Sequence, residues 1–74
     1  MSWAELTPEQ RGRRREEIHR VLLREGERTA NALMHRLALD YSTVTGSLDA
    51  MLESGAVTSR VDSGLTFYAA VPRS

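Results

Sequence analysis

Two periodicities divide this chain. From Ile18 to Leu52 the apolar residues recur at helical spacing, and beyond Gly55 they alternate with polar ones. Ile18, Val21 and Leu22, with Leu23 beside them, form one stripe. Ala30, Leu33, Met34 and Leu37 form a second, and Val44, Leu48, Met51 and Leu52 a third. The second and third stripes follow the i, i+3, i+4, i+7 pattern of a helix with one buried face. Capping residues bound the elements. Thr7 and Gln10 stand at capping-box spacing around Pro8, predicting a first helix from Pro8 to about Glu25 that stops at Gly26. Thr29 caps a second helix, Ala30 to Leu37 or Ala38. Ala38-Leu39-Asp40 breaks the period, and Asp40 caps a third helix running from Tyr41 to about Ser54, with Gly55 as its terminator. The first half of helix 1, Glu9 to Glu17, has no apolar face and includes Gly12, about 1 kcal/mol less favourable there than alanine. That half either projects into solvent or touches something outside the core. Gly46, inside the third helix, points to close approach of another backbone or a ligand.

After Gly55, Ala56 to Val61 and Leu65 to Val71 each alternate, and Asp62-Ser63-Gly64 between them reads as a three-residue hairpin loop. The alternation nominates Val57, Val61, Leu65, Phe67, Ala69 and Val71 as inward residues, and Pro72 ends the second strand. The stretch Glu25 to Arg28 has room for a very short strand. The expected fold is mostly helical α+β: three helices followed by a two-stranded β-hairpin. One domain covers residues 1–74, with residues 1–7, Trp3 among them, as an arm or a packing latch.

Composition narrows the chemistry. At 74 residues the chain is near the lower size for a self-supporting core, and it lacks cysteine. Its start lacks the pattern of a signal peptide, and no stretch approaches the roughly 20 apolar residues that span a bilayer. A cytoplasmic protein with no membrane association is expected. Ten basic and ten acidic residues cancel, and every basic one is arginine. That usage fits either a GC-rich genome or selection for bidentate phosphate contacts. Four arginines, Arg11, Arg13, Arg14 and Arg15, fall in five positions. They read as a phosphate clamp or as a solvated helix end paired with Glu9, Glu16 and Glu17, with Arg13–Glu17 and Glu16–Arg20 spaced for i, i+4 pairs. His19 and His35 do not share a face at ligand spacing, so no metal or other cofactor is expected, and both are read as solvent-facing or partly buried. No nucleophile stands near a histidine at a recognisable spacing and no glycine-rich phosphate loop is present, so an enzyme is not expected.

Three helices and a hairpin, with Thr29-Ala30-Asn31-Ala32-Leu33, Leu39-Asp40-Tyr41-Ser42-Thr43-Val44 and Leu48-Asp49-Ala50-Met51-Leu52-Glu53-Ser54-Gly55-Ala56-Val57 in sequence, resemble a winged helix-turn-helix domain. The likeness spans about residues 8–71 and is similar to the small bacterial and phage regulators of the MarR and ArsR groups. The resemblance implies a transcription regulator that binds double-stranded DNA, with helix 3 in the major groove and the hairpin as a wing. Tyr41, Ser42, Thr45, Gly46 and Asp49 would then face bases, Thr43 and Ser47 would stand near the DNA backbone, and Thr29, Arg36 and Arg60 would meet phosphates. The base-facing positions carry hydroxyls, a glycine and an acid where forked Arg, Asn or Gln side chains commonly read bases. A homodimer is expected from the small size of one module, through helix 1 or the Trp3 arm. The alternative is a winged-helix module that binds a protein partner and reads no DNA.

Overall fold

The computed structural model describes residues 1–73. Its elements are α1 (Pro8–Glu25), α2 (Ala30–Leu37), α3 (Tyr41–Ser54), β1 (Val57–Asp62) and β2 (Leu65–Ala70), preceded by one 3-10 turn at Trp3–Glu5. The helix ends follow local chemistry. Thr7 Oγ1 accepts from the Gln10 amide at 3.1 Å while Gln10 Oε1 accepts from the Thr7 amide at 2.9 Å, which satisfies two orphan donors at once. Thr29 Oγ1 accepts from the Ala32 amide and Asp40 Oδ2 from the Thr43 amide, so all three helices start on a side-chain cap. The α2–α3 turn is three residues long. Ala38 closes α2 with φ 55°, a left-handed conformation that costs an L-residue about 1 kcal/mol, and the Leu39 amide reaches back to the Met34 carbonyl.

The core holds Ile18, Val21 and Leu22 of α1, Leu33 of α2, Val44, Leu48 and Met51 of α3, and Val57 of β1. These belong to the stripes read from the sequence, with Leu23 turned out to solvent. His19 joins them. It is 2% exposed, more buried than expected, and its Nε2 hydrogen is donated to the Val71 carbonyl at 3.0 Å. That bond ties the end of the hairpin to α1.

The hairpin corrects two expectations. Its turn has two residues, Ser63 and Gly64, both at positive φ, and Asp62 pairs with Leu65. The expected loop was one residue longer, and side-chain direction alternates with every residue, so the face of β2 inverts. Val57 lies opposite Ala70 and Ser59 opposite Tyr68, so Tyr68 and Ala70 pack on the core. Leu65, Phe67 and Ala69 turn to the other face, and Val61 shares the core side but lies past the end of the core. The short strand is a single bridge. Arg28 and Tyr68 exchange both amide–carbonyl bonds, at 3.0 and 2.8 Å, which places Arg28 on the free side of β2.

The outer face of the hairpin is held by one side chain. Arg60 extends over the Phe67 ring, 5.0 Å from its centroid, and ends on the Glu27 carboxylate with Nε 2.9 Å from Oε2. It thereby spans β2 from β1 to the Arg28 segment. The half-buried state of Phe67 on an outward face follows from that cover.

Candidate nucleic-acid interface

The outward side of α3 is defined by what its core side leaves over. Val44, Leu48 and Met51 point inward, which turns Ser42, Thr45, Gly46, Asp49 and Glu53 away from the core on a 3.6-residue repeat. Tyr41, at the first turn, is 61% exposed. Thr45 keeps its hydroxyl on its own helix, donating to the Tyr41 carbonyl at 2.9 Å.

The middle of this face is already occupied. The Trp3 indole lies directly on Gly46: a Cβ placed there would stand 2.3 Å from Trp3 Cγ and 2.5 Å from Cδ1. Only glycine admits an aromatic ring this close. The Trp3 amide donates to Ser42 Oγ at 3.1 Å, and Arg11 Nε donates to the Trp3 carbonyl at 3.0 Å. The Arg11 guanidinium also sits over the indole, 5.0 Å from its centroid. Thr43 Oγ1 lies 3.2 Å from the Met1 carbonyl and 2.6 Å from Asp40 Oδ1. The first residues are therefore a docked latch. The bare half of α1 meets this turn through Arg11, which is what its missing apolar face had left open.

Two expected contacts are corrected. Thr43 is 2% exposed and Ser47 fully buried, so neither hydroxyl reaches a bound backbone from this arrangement. Both lie on the flank of α3 that turns toward the core, a position the repeat assigns once Val44 and Met51 are fixed as inward. Ser47 Oγ has no hydrogen-bond partner among the described residues.

Most of the arginines are engaged. Arg36 forks onto Glu25 with Nε and Nη2 at 3.1 and 2.8 Å from Oε2. Arg60 is shared between Glu27 and Asp62. Within the expected phosphate clamp, Arg13 pairs with Glu9, Arg14 with Glu17, and Arg11 with the indole, while Arg15 makes no ion pair among the described residues. The i, i+4 pairs read from the sequence give way to these and to Arg73–Glu16, because the end of the chain returns beside α1. Thr29 spends its hydroxyl on the α2 cap.

Charge states follow from these contacts. Arg60 holds the Glu27 carboxyl below the usual carboxylate range, and Glu27 raises the Arg60 guanidinium in turn. Arg73 lowers Glu16, and hydrogen bonds from the Thr43 side chain and amide lower Asp40. Burial pushes the Tyr68 phenol up, with the Asp49 charge adding to the effect, so Asp49 and the base of the hairpin share one electrostatic neighbourhood. A cleft of about 780 Å³ lies elsewhere, between α1 and the end of α3, and its lining includes Glu9, Arg13, Arg15, Glu16, Arg20 and Arg73. Among the described residues no three His, Cys, Asp or Glu side chains converge to hold a metal. No described helix is long and apolar enough to cross a membrane.

Compared with known proteins, the chain matches no family model, no curated protein and no solved structure.

Proposed function

We propose that this chain is a small DNA-binding module of the winged helix-turn-helix type, acting in transcription regulation in the cytoplasm. The observation that carries this reading is the succession of α2, a tight turn, α3 and a hairpin. A three-residue turn sets α3 against α2, and a hairpin steadied by the Arg28–Tyr68 bridge follows it. A helix of this kind fits a major groove while an adjacent hairpin reaches the flanking phosphates. Tyr41, Ser42 and Thr45 supply the polar groups of α3, and Arg28, Arg36 and Arg60 flank them along the chain. With hydroxyls at the reading positions and acids at Asp40 and Asp49, contact is dominated by phosphates. Two copies on one duplex supply the area that one module lacks.

Fluorescence anisotropy of a labelled duplex at about 50 and about 200 mM salt tests this. Binding that weakens steeply with salt is expected. No binding at the lower salt refutes it.

A second reading has its own observation. Tyr41 of α3 is 61% exposed next to Asp40, and Arg36 and Arg60, the cations expected to meet phosphates, are already paired with carboxylates. Such a surface suits a protein partner. A duplex that fails to bind, with a partner retained on the immobilised protein and lost on Tyr41→Ala, favours it.

A further inference from the structure

We propose that the first six residues are an autoinhibitory latch, and that duplex DNA is what releases it. The proposal rests on the DNA-binding reading and names the regulation of that same surface.

Three observations support the latch. First, the indole covers Gly46 and the Trp3 amide occupies Ser42, two of the outward positions of α3. A duplex cannot seat α3 while the ring is there. Second, the same indole and the Trp3 carbonyl hold Arg11, a cation with no carboxylate partner among the described residues. Opening therefore uncovers the face and frees a guanidinium next to it in one step. Third, the contacts that hold the turn are few and exposed or half-buried, and Arg11 gains a stronger partner in a phosphate than in a ring and a neutral carbonyl. Gly46 is the fitting partner of the latch, since any side chain there excludes the ring. It also leaves α3 smooth enough for a close approach of DNA once the ring has gone.

The expected size follows from population arithmetic. If the binding-competent open form is about a tenth of the molecules, the apparent affinity is about tenfold weaker than that of an unlatched chain. Trp3→Ala removes the ring and leaves α3 untouched. It should bind a random-sequence duplex about tenfold more tightly than the wild type at low salt. The double variant Trp3→Ala, Arg11→Ala should lose much of that gain and show a salt slope shallower by roughly 0.9. Because Trp3 is the sole tryptophan, its emission reports the latch directly. On addition of duplex the wild-type emission should move to longer wavelength and become more open to acrylamide.

The outcomes separate cleanly. A Trp3→Ala protein that is folded by circular dichroism yet binds no more tightly than the wild type overturns the latch and leaves DNA binding standing. Emission unchanged at saturating duplex overturns it as well. A double variant as tight and as salt-sensitive as Trp3→Ala removes the role given to Arg11. Failure of both the wild type and Trp3→Ala to bind at low salt overturns the DNA reading, and the gate falls with it.

Discussion

A methyl group placed at position 46 sets two effects against each other. In an isolated helix, alanine in place of an interior glycine adds about 1 kcal/mol. Here the new Cβ would stand 2.3 Å from Trp3 Cγ, so the ring must leave. What leaves with it can be bounded. A fully buried tryptophan removes about 200 Å² from water, and at about 25 cal/mol per Å² the half-buried ring is worth roughly 3 kcal/mol. The bonds Trp3 N–H to Ser42 and Arg11 to the Trp3 carbonyl add about 1 kcal/mol each. Ordering the six latch residues costs about 1 kcal/mol apiece, so the two sides balance to within about 2 kcal/mol. Gly46→Ala in the wild type should therefore be close to neutral or slightly destabilising. In a Trp3→Ala background the clash is gone, and the same change should stabilise by about 1 kcal/mol. Urea unfolding of the four proteins, followed by far-ultraviolet circular dichroism, gives the coupling. That coupling should match the affinity gain of Trp3→Ala, since a tenfold change corresponds to about 1.4 kcal/mol. Effects of Gly46→Ala that agree in both backgrounds to within about 0.4 kcal/mol would show that the indole and position 46 do not interact, and the reasoning would be wrong.

Three further outcomes are expected. Ser47→Ala removes a fully buried hydroxyl without a partner and improves helix propensity, so it should stabilise by about 1 kcal/mol in urea unfolding; a loss of stability would mean the hydroxyl has a partner in solution. Ala38→Gly relieves a left-handed alanine at the end of α2 and should stabilise by about 0.5–1 kcal/mol, read as a rise in Tm; no rise would place the turn in another conformation in solution. The carboxyls of Glu16, Glu27 and Asp40 are lowered in the folded chain, so the unfolded chain binds more protons on acidification. Their contribution is complete above the unfolded pKa of about 4 and is lost as pH falls through the folded values. Stability should be level near neutrality and decline below about pH 4, and stability that rises on acidification would contradict these pairings.

The helices were legible because their signals are local. Thr7 with Gln10, Thr29 and Asp40 sit within three residues of the amides they cap, and Gly26 and Gly55 within a turn of the carbonyls they close. Such contacts leave a trace at fixed spacing. The inward face of β2 was not legible, because it hangs on whether the turn has two residues or three, and Asp62-Ser63-Gly64 is compatible with both. The partner of Gly46 was only half legible. A glycine in mid-helix announced that something approaches closely, yet nothing local names a tryptophan 43 positions earlier. Pairing of the arginine run with Glu9 and Glu17 was legible, but the partner of Glu16 was not, for a similar reason. Glu16 had Arg20 at ideal helical spacing, and the return of the chain end delivered Arg73 instead.

The Arg28 bridge lies on the β2 side of the hairpin, which leaves β1 as the outer strand with no strand paired to its other edge among the described residues. Val57 to Asp62 contains no proline and no bulge, and an edge of that kind invites a neighbouring chain to add a strand. What guards it is charge, from Arg60 and Asp62, and the anchoring of Arg60 to Glu27 keeps that charge in place. The ion pairs of Arg60 thus hold charge at the exposed edge of β1, where charge disfavours edge-to-edge pairing. A variant stripped of them to expose the hairpin would trade solubility for access, and its first fault would be aggregation through β1.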